Sequence, residues 1–102
     1  MSKSEIFNSL LRMVSEETEI PCSQILTGKK KDMETVDARY LLVHFLSETG
    51  FPPSYIASKT GITERTVTYI ITNFEIRLSV QKMLRIQCEN LRKRIRNNTF
   101  LS

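Results

Sequence analysis

The sequence predicts an all-α fold: a compact helical bundle with a helix-turn-helix and a long C-terminal helix. Three observations carry this. Apolar residues recur at helical spacing in one segment after another, no stretch alternates as a strand would, and the glycines and prolines fall at the joints between periodic segments. At 102 residues the chain suits a single domain, 1–102, with one core. A domain of this size buries roughly two-thirds of the surface its unfolded chain exposes, enough for a helical core without covalent staples.

The first helix is expected over 3–18. Ser2 and Glu5 have the spacing of a capping box, and Ile6, Phe7, Leu10, Leu11 and Val14 form one apolar face. Pro21 breaks it, Ser23 to Leu26 makes one further turn, and Gly28 stops that turn ahead of an exposed lysine loop, Lys29, Lys30 and Lys31. From about Thr35 to Glu48 the sequence is apolar around most of a helix, through Val36, Tyr40, Leu41, Leu42, Val43, Phe45 and Leu46, which places that helix at the centre of the domain. Asp37, His44 and Glu48 form its polar stripe. Thr49-Gly50-Phe51-Pro52 ends it, and Pro53 opens the next helix.

The segment 53–76 reads as a helix-turn-helix. Ala57 is small where the second helix crosses closest, Gly61 can take the left-handed conformation of a tight turn, and Thr63 is a natural N-cap. Ile56, Ile62, Val67 and Ile70 lock the pair to the helix behind it. With Val67, Ile70, Ile71 and Phe74 turned inward, a recognition helix over 63–76 presents Glu64, Arg65, Thr68, Tyr69 and Thr72 outward. Arg65 suits guanine edges, Thr68 and Tyr69 suit bases, thymine methyls or phosphates, and Ser54 and Tyr55 start the preceding helix where hydroxyls and backbone N–H groups meet phosphate. Glu64 beside Arg65 costs affinity unless it pairs with the arginine or accepts from cytosine.

Beyond Thr63 no breaker occurs before Asn97-Asn98, so 64–96 is either one helix of roughly 50 Å at 1.5 Å per residue or two helices with a break near Ser79. A basic helix over 79–97 closes the domain. Its stripe Leu84, Cys88, Leu91 and Ile95 fits a helix folded back on its own domain; a homodimer seam through 80–95 is the alternative.

The net charge is +4 and unevenly placed: −2 over 1–27, +1 over 28–78 and +5 over 79–102. That distribution suits nucleic acid. Two cysteines far apart, Cys22 and Cys88, point to reduced thiols of a cytoplasmic protein rather than a disulfide or a metal site. No stretch has the length or apolarity of a signal peptide or membrane span. His44 is the sole histidine and has no candidate nucleophile beside it, so no enzymatic activity, cofactor, metal or small-molecule substrate is expected.

Taken together, Ile20-Pro-Cys-Ser-Gln-Ile-Leu26, the loop Gly28-Lys-Lys-Lys31, the central helix with Ala38-Arg39, the helix-turn-helix and a trailing helix resemble the C-terminal DNA-binding domain (domain IV) of the bacterial replication initiator family DnaA, within the Trp-repressor-like superfamily. The resemblance implies duplex binding, with the recognition helix in the major groove and Lys29 to Lys31 on the adjacent minor groove or phosphates. It also implies a phosphate contact for Arg39. The family's Asp-His-Thr-Thr signature is replaced here by Thr63-Glu64-Arg65-Thr66, which keeps an N-cap and the last threonine and loses the histidine. No phosphate loop of the Gly-x-x-x-x-Gly-Lys-Ser/Thr kind is present, so initiator ATPase chemistry is not expected.

The function expected is sequence-preferring binding of double-stranded DNA, in a regulatory role in transcription or replication. The alternative is a protein-interaction module that uses the C-terminal helix. A DNA binder should gather Lys29 to Lys31, Arg39, Lys59 and Arg65 on one surface, whereas an interaction module needs an exposed apolar patch.

Overall fold

The computed structural model describes residues 2–27 and 31–97, which form six helices: α1 (Lys3–Thr18), α2 (Cys22–Thr27), α3 (Met33–Thr49), α4 (Pro53–Thr60), α5 (Glu64–Val80) and α6 (Lys82–Arg96). The fold is all-helical.

Local chemistry sets the helix ends. At α1 the capping box is complete: the Glu5 amide donates to Ser2 Oγ at 3.2 Å, and the Ser2 amide donates to Glu5 Oε1 at 3.1 Å. Those bonds hold the Glu5 carboxyl below the usual carboxylate range. Beyond Pro21, whose carbonyl accepts from the Gln24 and Ile25 amides, α2 is a short helix that drives Ile25 into the core. The apolar pattern predicts α3 from Thr35, but the helix starts two residues earlier because Asp32 is the cap. Its carboxylate accepts from the Thr35 amide at 3.3 Å and from the Thr35 hydroxyl at 2.9 Å. Gly50, at φ 108°, closes the other end of α3 with its N–H on the carbonyls of Leu46 and Ser47.

α3 is the central strut. Ala38, Leu41, Leu42, Val43 and Leu46 are fully buried, and α1, α2, α4, α5 and α6 all pack on it. Its polar stripe meets α5 and α6. Asp37 is buried and meets Arg77 of α5 at 2.5 Å, with the Arg77 guanidinium 4.6 Å from the Tyr40 ring centroid. His44 stacks on Phe74, and Glu48 lies 3.5 Å from Arg92 of α6.

The span 64–96 is two helices. Gln81 is extended (φ −115°, ψ 101°), and Arg85 donates from Nη1 to the carbonyls of Leu78 (2.6 Å) and Ser79 (3.0 Å), satisfying acceptors left open at the end of α5. α6 turns back along α1. Leu84, Cys88 and Leu91 are buried with Ile95 packed beside them, so this stripe faces the chain's own core. Asn90 bonds Glu17 and Arg94 bonds Glu16 across the same seam. Cys22 and Cys88 are free thiols, and burial pushes the Cys88 thiol up. Among the described residues, no helix is long and apolar enough to cross a membrane.

Candidate nucleic-acid interface

α4 and α5 are joined by a turn of three residues, Gly61, Ile62 and Thr63. The turn needs a left-handed backbone at its first residue, and Gly61 supplies it at φ 78° while its N–H bonds the Ala57 carbonyl at 2.9 Å. Ile62 then drops into the core and Ile56 is fully buried beneath α4, which pins the turn from both sides. Thr60 reinforces it: its hydroxyl donates to the Ile56 carbonyl at 2.7 Å and accepts from the Ile62 amide at 3.2 Å.

Thr63 caps α5 as its residue type predicts. Its Oγ1 accepts from the Thr66 amide at 3.2 Å and donates to the Thr66 hydroxyl at 2.9 Å. Both threonines are exposed, and their hydroxyls are joined to each other in the cap. Behind them Val67, Ile70 and Phe74 are buried; Ile71 is half-buried rather than fully inside. The outward face carries Glu64, Arg65, Thr68, Tyr69 and Thr72, all exposed, with Tyr69 at 60%. α5 runs four residues beyond the expected end at 76, because nothing interrupts it until Gln81.

Beside this face lies a cleft of about 390 Å³ between the start of α3 and the α4–α5 turn. Lys31 and Arg39 line it together with Thr63, Thr66 and Tyr69, and the buried Tyr40, Ile62 and Ile70 also border it. Five of the residues singled out from the sequence therefore surround one concavity. Lys29 and Lys30 lie outside the described residues.

Three expected contacts are placed differently. Arg39 is buried, and its Nε and Nη2 donate to the carbonyls of Ile25 and Gln24, each at 2.9 Å. The guanidinium thus ties α2 to α3, and burial lowers its affinity for its proton. It borders the cleft as a structural arginine rather than as a free phosphate ligand. Tyr55 turns toward the first turn of α1, packing on Phe51 with Lys3 Nζ 5.7 Å from its ring centroid. Lys59, one turn on, follows it: its Nζ is 3.4 Å from Ser4 Oγ and 5.6 Å from the Phe7 ring centroid. Ser54 is exposed at the start of α4. The cations expected on one surface are accordingly divided, with Lys31 at the cleft, Arg65 on α5 and Lys59 against α1.

The central histidine is fully engaged in packing. His44 and Phe74 stack at 3.8 Å, and Nε2 lies 3.0 Å from Glu48 Oε1, close enough for an ionic contact but poorly aligned for a hydrogen bond. Burial lowers the His44 pKa, against the pull of Glu48. Among the described residues no cluster of His, Cys, Asp or Glu has the makings of a metal site.

No family model, curated protein or solved structure matches the chain.

Proposed function

We propose that the chain is a non-enzymatic helix-turn-helix module that binds double-stranded DNA, with the first half of α5 in the major groove. One observation carries the reading: the polar face Glu64, Arg65, Thr68, Tyr69 and Thr72 stands free of its own domain, at the capped start of a helix whose other face is wholly committed to the core. A helix held this way can enter a groove without unfolding anything else. Arg65 reads guanine, while Thr68 and Tyr69 read neighbouring bases or hold phosphate. Lys31, which lines the cleft beside Tyr69, supports a second contact on the backbone or adjacent minor groove, as do Lys29 and Lys30 by sequence.

On this reading the module is of the DnaA domain IV kind, Trp-repressor-like, cytoplasmic and regulatory. Arg39 keeps its place in the central helix but acts on α2. His44, stacked and desolvated, serves packing rather than proton transfer.

The test is fluorescence anisotropy with a randomised duplex pool at two salt concentrations, comparing the natural chain with Arg65→Ala and Lys31→Ala. Arg65→Ala should cost about 1–3 kcal/mol of discrimination at one position and keep non-specific affinity, whereas Lys31→Ala should weaken all sequences alike and reduce the salt slope by about one. Absence of duplex binding by the natural chain at low salt overturns the proposal.

A further inference from the structure

The exposed stripe of α5 changes character along its length. Arg65, Tyr69, Thr72, Ile76 and Val80 follow one another at steps of three or four residues and so share one helix face. The first three are polar or amphipathic, and the last two are bare aliphatics, 64% and 70% exposed. Past the single extended residue Gln81, the outer face of α6 continues the theme with Met83 at 61% and Ile86 at 45%. Val80 and Met83 are three residues apart, so their Cα atoms lie within about 11 Å. These four side chains account for most of the large apolar residues exposed among the described residues, and all lie within five residues of Gln81, at the corner where α5 passes into α6. Isolated exposed aliphatics are ordinary; a cluster of four at one corner is the mark of a contact surface.

We propose that this corner is a two-fold interface with a second copy of the same chain, α6 crossing α6 antiparallel beside Ile86. The flanking charges fit a self-contact. Lys82 and Glu89, both exposed, lie four residues before and three after Ile86. An axis passing between Arg85 and Ile86 therefore sets each Lys82 opposite the partner's Glu89 and brings the two Ile86 side chains together. A two-fold contact requires such a patch to complement itself, carrying both signs of charge around an apolar centre. The buried stripe Leu84, Cys88, Leu91 and Ile95 is not the seam, because it already belongs to the core.

The experiment is sedimentation equilibrium of the full chain without DNA, from about 1 to 300 µM. The natural chain should show a monomer–dimer equilibrium. Ile86→Glu should raise the dimer Kd about tenfold or more with helix content unchanged by circular dichroism, and Val80→Lys provides an independent disruption should Ile86→Glu alter the fold. Lys82→Glu should weaken the dimer, and adding Glu89→Lys should restore it. A chain monomeric throughout that range, a larger assembly, a dimer indifferent to Ile86→Glu and Val80→Lys, or a charge exchange that fails to restore pairing would each overturn the proposal. Because DNA is absent, the result is independent of whether the chain binds duplex.

Discussion

The His44 imidazole lies flat on the Phe74 ring, with centroids 3.8 Å apart and planes 6° from parallel. This contact joins the middle of α3 to the inner face of α5, so the proposed reading helix rests on a side chain whose ordinary pKa lies near neutrality. Burial lowers the His44 pKa and Arg92 acts in the same sense, while Glu48 and Glu75 oppose them; the net direction is down. The folded state therefore prefers the neutral ring. The associated stability is complete above the unfolded value of about 6.5 and is lost as pH falls from there through the folded pKa. Urea midpoints should drop between pH 7 and pH 5, and His44→Phe should flatten the curve in that window. An unchanged slope in His44→Phe would assign the pH dependence to other groups.

A second tie between the same helices is the Arg77–Asp37 pair at 2.5 Å, only 25% and 10% exposed. Removing Arg77 leaves a buried carboxylate without its partner. Arg77→Ala should cost about 1–3 kcal/mol in denaturant unfolding, and Asp37→Asn in that background should recover part of the loss, because a neutral amide is cheaper to bury.

Much of this framework was legible in the sequence because its signals are local. Ser2 with Glu5, Gly50, Pro53, Gly61 and Thr63 each act within a few residues of themselves, and each does in the structure what its residue type predicts. The break at Gln81 was less legible, since neither glycine nor proline marks it. Its signature is a slip in phase: continuing the Phe74–Leu78 face as one helix would bury residues near 81 and 85, yet Leu84 and Cys88 are the buried ones. The intramolecular partners of Arg39 and Asp37 were not legible, for a different reason. Their partners lie 14 and 40 residues away, and no periodicity encodes the Arg39 guanidinium reaching back to the Ile25 carbonyl or that of Arg77 reaching back to Asp37.

Arg39 gives a sharp contrast with Lys31. If it acts by tying α2 to α3, Arg39→Ala should lower stability by about 1–3 kcal/mol by orphaning two carbonyls, yet change the salt slope of duplex binding less than Lys31→Ala does. Parallel chemical denaturation and salt titrations separate the two roles. An unaltered denaturation midpoint with a reduced slope would return Arg39 to the phosphate-contacting set.

At the α4–α5 turn, Gly61→Ala should be unfavourable through backbone strain rather than collision. A Cβ there would sit 3.6 Å from the Leu26 carbonyl oxygen, an ordinary contact, but at φ 78°. The expected loss is about 1–2 kcal/mol, and Thr63→Ala should cost about 1 kcal/mol through the lost cap. Both are read from thermal unfolding. Equal stability of Gly61→Ala and the natural chain would mean that the turn relaxes to another conformation.

The one-residue hinge at Gln81 has a consequence for how the domain becomes whole. Because α6 doubles back, Asn90 and Arg94 of the last helix reach Glu17 and Glu16 of the first, with Val14 and Leu91 buried on those two helices. The bundle is thus clasped by its two extremities, and the segment that would touch DNA is enclosed between them in chain order. Such a topology makes the proposed reading helix inseparable from its surroundings: cutting the chain at Gln81 would open the clasp, and α5 would lose its fixed bearing along with the core.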